Sequence, residues 1–216
     1  MNCGTGDLAE RRIPFMSGIS GLVLLGVCLL AGCLSKPPLA KQSFTFAMPS
    51  GRAAYSSVSS RVLGIRSIEV ATPYQGRLLV YRTGQSSYEK DPYAEFIASP
   101  ADSLGASIRA YLRLSGLFKA VTEPGSSLKA NTLAEIHVPL LYGDFRKPVE
   151  GASVLNLRCV FFDSPGQVPG RMLFQREYSR RIAVKGRTAA GVMAAWDEAL
   201  KEIMSEVVAD LKDKDI

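Results

Sequence analysis

The apolar positions along this chain change spacing several times, and each change predicts an element. Residues 62–70 are apolar and rich in β-branched side chains, which predicts a strand that Thr72-Pro73 ends. Residues 77–82, carrying Leu78, Leu79, Val80 and Tyr81, predict a second short strand. Phe44-Thr45-Phe46 has the composition of a short first strand, and residues 49–60, rich in Ser and Gly, read as loop. Residues 83–92 are polar, with Gly84, Ser86, Ser87 and Pro92, and read as a second loop. Leu104, Ile108, Tyr111 and Leu112 then recur at helical spacing. The preceding Ser99-Pro100-Ala101-Asp102 is a helix start: Ser99 can cap, Pro100 fits the first turn, and Asp102 complements the positive end. Gly116 suits the position after the last turn.

The second half reads as strands followed by a helix. Residues 117–121 predict a strand closed by Glu123-Pro124-Gly125. Residues 133–145 alternate, with Ile136, Val138, Leu140 and Tyr142 on one side and Pro139 on the other, marking an edge or a bulge. Residues 154–162 alternate as well, placing Leu155, Leu157, Cys159 and Phe161 together. Turn residues at 164–170 lead into a long strand over 171–185. Thr188 then caps a helix whose apolar line is Val192, Trp196, Ala199, Ile203, Val207 and Leu211, with Asp197, Glu198, Lys201, Glu202 and Glu206 as its wet face. The three long strands, joined by short turns, predict an antiparallel meander. The fold class is α/β in the broad sense (α+β): a mixed, mainly antiparallel sheet with two main helices packed on one face.

The N-terminus follows a different rule. Arg11-Arg12 precedes an apolar stretch over 21–30, the charge-then-apolar order of a secretory signal. The stretch ends in Leu30-Ala31-Gly32-Cys33, which resembles the lipobox of bacterial lipoproteins. In that family a diacylglycerol is attached to the cysteine sulfur and cleavage falls just before it. The expected cleavage is therefore between Gly32 and Cys33, with Cys33 lipidated and N-acylated and no other cofactor. A plain transmembrane anchor fits less well, because the run is marginal in length and broken by Gly21, Gly26 and Gly32. Two or three acyl chains hold far more firmly than a single reversible one. The organisation expected is a signal peptide over 1–32, a lipidated tether over 33–43 in which Pro37-Pro38 favours extended geometry, and a domain over 44–213. By analogy with bacterial sorting, Leu34 rather than Asp at the second mature position argues for the periplasmic face of the outer membrane over the inner membrane.

Removing 32 residues from 216 leaves 184, enough for one domain with a real core. Hydrophobic residues make up 47% of the chain and charged residues 21%, which excludes wholesale disorder. The net charge of +6 survives cleavage, since Asp7 and Glu10 cancel Arg11 and Arg12. A basic surface suits anionic lipid head groups or an acidic protein partner; it also simply keeps a protein soluble. Nucleic acid is not an expected partner, because neither a zinc-ligand spacing nor an aromatic-plus-basic strand motif is present.

Catalytic chemistry finds little to work with. A Ser-His-Asp triad could use only His137, and no Gly-x-Ser-x-Gly elbow accompanies it. Cys159 lies in an apolar run, where a buried thiol is inert. One His and one remaining Cys do not build a zinc site, and no Gly-rich lysine loop is present for nucleotides. The basic cluster Arg176, Arg180, Arg181, Lys185 and Arg187 stands out. Arg176 and Arg180 share a strand face with Tyr178, a stripe that could meet phosphates or an acidic partner, or be a solvated face.

The ordered set Pro73-Tyr74, Leu79-Val80-Tyr81-Arg82, Phe96 to Pro100, and Leu112-Arg113-Leu114-Ser115-Gly116-Leu117-Phe118 resembles the ABC-type transport auxiliary lipoproteins, the paraquat-inducible protein C-like family of MCE systems. Where relatives often carry Trp ahead of the helix, this chain has Phe96-Ile97. The resemblance implies a domain similar to the N-terminal domain of TolB. It implies a non-catalytic lipoprotein working beside an MCE-domain protein and an ABC permease with its ATPase, in lipid transport between the inner and outer membranes. A homo-oligomer belongs to the same implication, and Tyr81 and Arg82 become interface candidates. The alternative is an assembly lipoprotein of an outer-membrane machine for lipopolysaccharide or secretion.

Overall fold

The computed structural model describes residues 40–51, 59–164, 170–214 and 216. The signal peptide, the lipobox and most of the tether therefore lie outside the described residues, as does most of the turn at 164–170. In chain order the elements are β1 (Gln42–Phe44), β2 (Val62–Val70), a 3-10 turn (Thr72–Tyr74), β3 (Leu78–Arg82) and β4 (Tyr88–Phe96). Then come α1 (Pro100–Ser115), β5 (Ala120–Val121), β6 (Thr132–Asp144), β7 (Gly151–Asp163), β8 (Arg171–Val184) and α2 (Ala189–Asp213).

The eight strands form one sheet with β6 as its spine. Along one side β6 pairs antiparallel with β7, and β7 with β8, giving the expected meander. Along the other side the sheet forks. The first half of β6 pairs parallel with β2, and its last two residues, Gly143 and Asp144, pair parallel with Tyr81 and Arg82 of β3. Strand β5 lies beyond β2, while β4 and then β1 lie beyond β3. The fork falls at Pro139: β2 ends opposite Val138, β3 has not yet begun, and the β6–β7 register slips between His137 and Leu140. A residue without an amide proton is tolerated where no neighbour needs one. The slip also reverses the alternation. Ile136, Val138 and Leu141 are buried while Leu140 is not, so the expected line through Leu140 breaks at the bulge.

The helices begin and end as their caps dictate. Ser99 Oγ accepts from the Asp102 amide at 3.0 Å, and Gly116 closes α1 at φ +67°. Thr188 Oγ1 accepts from the Gly191 amide at 3.0 Å. Both helices pack on one face of the sheet, where Leu155, Leu157, Cys159 and Phe161 meet Trp196, Ile203 and Val207, all buried. No helix among the described residues is long and apolar enough to cross a membrane.

Three expectations are corrected at the level of elements. Part of the loop expected over 83–92 is strand β4, which hides its character behind Glu89, Lys90, Asp91 and Pro92. Its ladder with β3 is irregular between Lys90 and Glu95, and Asp91 Oδ1 accepts the Tyr93 amide there, so Pro92 sits in a bulge. The first strand begins two residues earlier than read and ends at Phe44, which frees Phe46 from the sheet. The strand expected over 117–121 shortens to Ala120–Val121, with Leu117 and Phe118 turned into the core instead.

Phe46 then becomes a plug in the helical layer. It is 1% exposed, with its ring 5.8 Å from Phe96 and 6.4 Å from Trp196. Trp196 stacks on Phe96 at 5.9 Å and donates Nε1–H to the Val154 carbonyl at 3.1 Å. The next residue is clamped by both helices: the Ala47 amide donates to Asp197 of α2 at 2.8 Å, and Ser107 of α1 donates to the Ala47 carbonyl at 2.8 Å. Asp197, expected on the wet face, is thus half-buried. Removing a fully buried aromatic ring costs about 3–5 kcal/mol. Phe46→Ala should therefore lower the urea midpoint steeply, whereas Ile97→Ala, at a 64% exposed position, should leave it almost unchanged.

Candidate functional site

Cys33 and Gly32, which carry the one chemistry named from sequence, lie outside the described residues. The four interface candidates do lie within them, and the fold separates them into two places. Tyr81 and Arg82 end β3 beside the β6 terminus. Arg176 and Arg180 sit on β8, at the far side of the sheet.

The β8 stripe faces α2. Arg176 holds Glu206 at 2.6 Å and Asp210 at 2.7 Å, and Arg180 holds Glu202 at 2.8 Å and Glu206 at 2.7 Å. Tyr178 donates to Asp210 at 2.6 Å, and burial followed by that bond pushes its phenol above the ordinary value. The acidic partner of these arginines is the chain's own helix. Period-two spacing on a strand and period-four spacing on a helix both bring the partners into line, since Glu202, Glu206 and Asp210 recur every fourth residue. That recurrence was the sequence signal for the pairing. Being partly exposed, such pairs add little stability individually and act as a network that fixes how α2 lies along β8.

Tyr81 is half-buried on the helix side, its ring 5.3 Å from Phe145, and it donates to Asp91 at 2.8 Å. Burial is the main cause that raises its phenol above the ordinary value, with the Asp91 bond next. Arg82 points to the opposite face, donating to the carbonyls of Gly84 and Gln85 and lying 5.7 Å over the Tyr88 ring. Tyr88 in turn meets Tyr74 and Tyr142, so Pro73-Tyr74 and Val80-Tyr81-Arg82 come together around a tyrosine cluster.

Sequence reading missed the residue that organises this end. Asp144 is 2% exposed, yet it receives Arg146 through two side-chain bonds of 2.9 and 2.7 Å and Arg181 at 2.7 Å. The Arg146 bonds hold its carboxyl well below the usual carboxylate range, against the opposing effect of burial, and Arg181 adds to them. A lone acid closing an apolar strand two residues before an arginine was the available signal.

His137 and Cys159, the residues a catalytic reading would use, do not come together with partners among the described residues. His137 Nδ1 lies 3.5 Å from Arg158 Nη2, and no serine or carboxylate bonds to it among the described residues. It borders a shallow cleft of about 450 Å³ with Glu69, Thr72, Gln75 and Ser99. Burial pushes the Cys159 thiol up to about 12, so it stays protonated at neutral pH. Among the described residues, no three His, Cys, Asp or Glu side chains cluster as metal ligands would.

Protein XCC0632 from Xanthomonas campestris, a member of family DUF330, superposes with a TM-score of 0.68 at 17% identity, over 80% of this chain and 96% of that one. The two share a fold. An uncharacterized protein of known structure has a TM-score of 0.62 at 13% identity, over 80% and 99% of the two chains. Lipoprotein GNA1162 from Neisseria meningitidis stands further off, with a TM-score of 0.39 at 11% identity over 71% and 99% of the two chains. No family model matches the chain, and no curated protein does.

Asp144 makes stability depend on pH in a defined direction. Its folded pKa lies below the unfolded value, so its contribution is complete at neutral pH and is lost as pH falls below about 4. Asp144→Asn should cost about 2–4 kcal/mol at pH 7 by leaving the guanidinium groups of Arg146 and Arg181 without their charge partner. In urea titrations repeated at falling pH, the gap between this variant and the wild type should close.

Proposed function

We propose that this chain is a non-catalytic lipoprotein, anchored through Cys33 to the periplasmic face of the outer membrane, that serves an MCE/ABC-type lipid transport system. The observation that carries the reading is the joint occurrence of a lipobox and the ordered motif set behind it. Those motifs fall at points that shape this fold. Tyr74 is buried in the tyrosine cluster, Leu79 and Val80 are core, Ser115-Gly116 closes α1, and Phe118 is buried beyond it. The fold shared with the DUF330 protein supports the domain that this reading requires.

A transport bridge across an aqueous compartment must be fixed at its far end. A small folded domain on a lipid anchor supplies that fixture and needs no active site. The partners are an MCE-domain protein and, through it, the permease and ATPase. A second copy of the chain is a further partner under the same reading.

Two measurements separate the parts of this proposal. Labelled palmitate should enter the wild-type chain and not Cys33→Ser, which should persist as uncleaved precursor; equal labelling would remove the anchor. In-cell crosslinking of the wild type should capture an MCE-domain protein. Palmitate labelling without any such capture would leave a lipoprotein and sink the transport role.

A further inference from the structure

One end of the sheet differs from the rest in charge and shape. Arg82, Tyr88, Asp144, Ala152 and Ala183 form a single row across β3, β4, β6, β7 and β8. Beyond this row project the β6–β7 hairpin over 145–150 and the link from β8 to α2. Arg82, Arg146, Lys147, Lys185 and Arg187 gather there against Glu89, Asp144 and Glu150, so the end is positive; Lys147 meets Glu150 at 2.9 Å in an exposed pair that a phosphate can replace. At the hairpin tip Val149 is 91% exposed beside the exposed Pro148. The tip is held rather than loose. Arg187 donates to the carbonyls of Phe145, Lys147 and Pro148 and lies 4.4 Å over the Phe145 ring.

The first described residues lead into β1 from the same end. Strand β1 runs parallel to β4 with Gln42 opposite Ala94, so its N-terminus points toward the row containing Tyr88. Glu95 and Lys90 of β4 pair with Leu78 and Val80, only two residues apart on β3, so the bulge at Pro92 brings Gln42 to within about 10 Å of that row. The seven residues from Cys33 to Ala40 span at most about 25 Å even when fully extended. Cys33 is therefore tied by a short stretch of chain to the end of the sheet that carries the hairpin, which limits how far that end can stand from the bilayer.

From this geometry we infer that the hairpin end of the domain is a membrane-contact surface: Val149 enters the head-group layer of an anionic phospholipid leaflet while Lys147 and Lys185 meet its phosphates. The inference rests on the lipid anchor at Cys33. A valine at a positive, braced tip costs free energy in water and gains it in the interface, and each cation near an anionic surface strengthens the contact. The short tether makes the contact intramolecular in effect, so weak individual contributions suffice.

The test uses the mature lipidated chain in vesicles of phosphatidylethanolamine and phosphatidylglycerol, with brominated lipid as quencher. Val149→Trp adds an emitter at the tip, and Leu128→Trp adds one at a 50% exposed position in the loop following β5; the native Trp196 is fully buried and serves as background. Bromolipid should cut the emission added at 149 by at least about two-fold and leave that added at 128 unchanged, as expected for a group seated in the interface. The double variant Lys147→Glu/Lys185→Glu, or replacing phosphatidylglycerol by phosphatidylcholine, should restore most of the lost emission. If the chain floats with the vesicles and the emission at 149 resists the quencher, the contact is wrong and the anchor stands. The same result with the tip crosslinked to a protein would give the surface to that partner and overturn the membrane contact. If the chain fails to float and takes up no palmitate, anchor and contact fall together.

Discussion

The burial of Phe46 between the sheet and the two helices is the contact on which the arrangement of this domain depends. Strand β1 is three residues long and pairs with only one neighbour. Such a strand has little stability of its own. It holds because Phe46 stacks with Phe96 and Trp196, and because Ala47 is bonded to one helix through its amide and to the other through its carbonyl. One residue pair thereby ties β1, β4, α1 and α2 together. Trp196 extends the tie to β7 through the Val154 carbonyl. Its indole brings a polar N–H into a dry core, and the bond to a backbone oxygen removes that penalty.

The second constraint is the fork at Pro139. A spine strand that exchanges one parallel neighbour for another must pass a position where neither can bond to it. Proline at that position makes the gap harmless. The accompanying bulge turns Asp144 to the open face of the sheet, where Arg146 and Arg181 enclose it. The sheet consequently has two characters. Where β2 adjoins β6 its open face is solvated, with Arg66 paired to Glu135, and where β3 adjoins it carries tyrosines and a buried carboxylate.

Much of this was legible in the amino-acid pattern. Strand β2, both helix caps and the antiparallel meander are local matters of side-chain alternation and capping, and they stand where they were read, except that the middle strand of the meander begins earlier, at Gly151. Strand β4 escaped because its own residues argue against a strand; only the bulge at Pro92 and its place beside β3 make it one. The flip at Leu140 escaped for a related reason, since a bulge is fixed by neighbouring strands and not by the strand that carries it. The arginines of β8 were read correctly as a stripe, but their partners lie 22 to 34 residues away in sequence, on a helix whose orientation no periodicity specifies. Among the site residues, Cys33 remains a statement of sequence, while Tyr81, Arg82, Arg176 and Arg180 now have partners within their own chain.

Returning to Phe46, its position has a mechanical meaning. A load applied at the N-terminus would pull along β1, stretching its hydrogen bonds to β4 in shear so that they yield together rather than one by one. Behind them the Phe46 ring acts as a knot. To follow the strand out it would have to leave its contacts with Phe96 and Trp196. Tension arriving through the first residues would be passed at the stretch 42–47 to β4 and both helices together, so no single element would carry it alone.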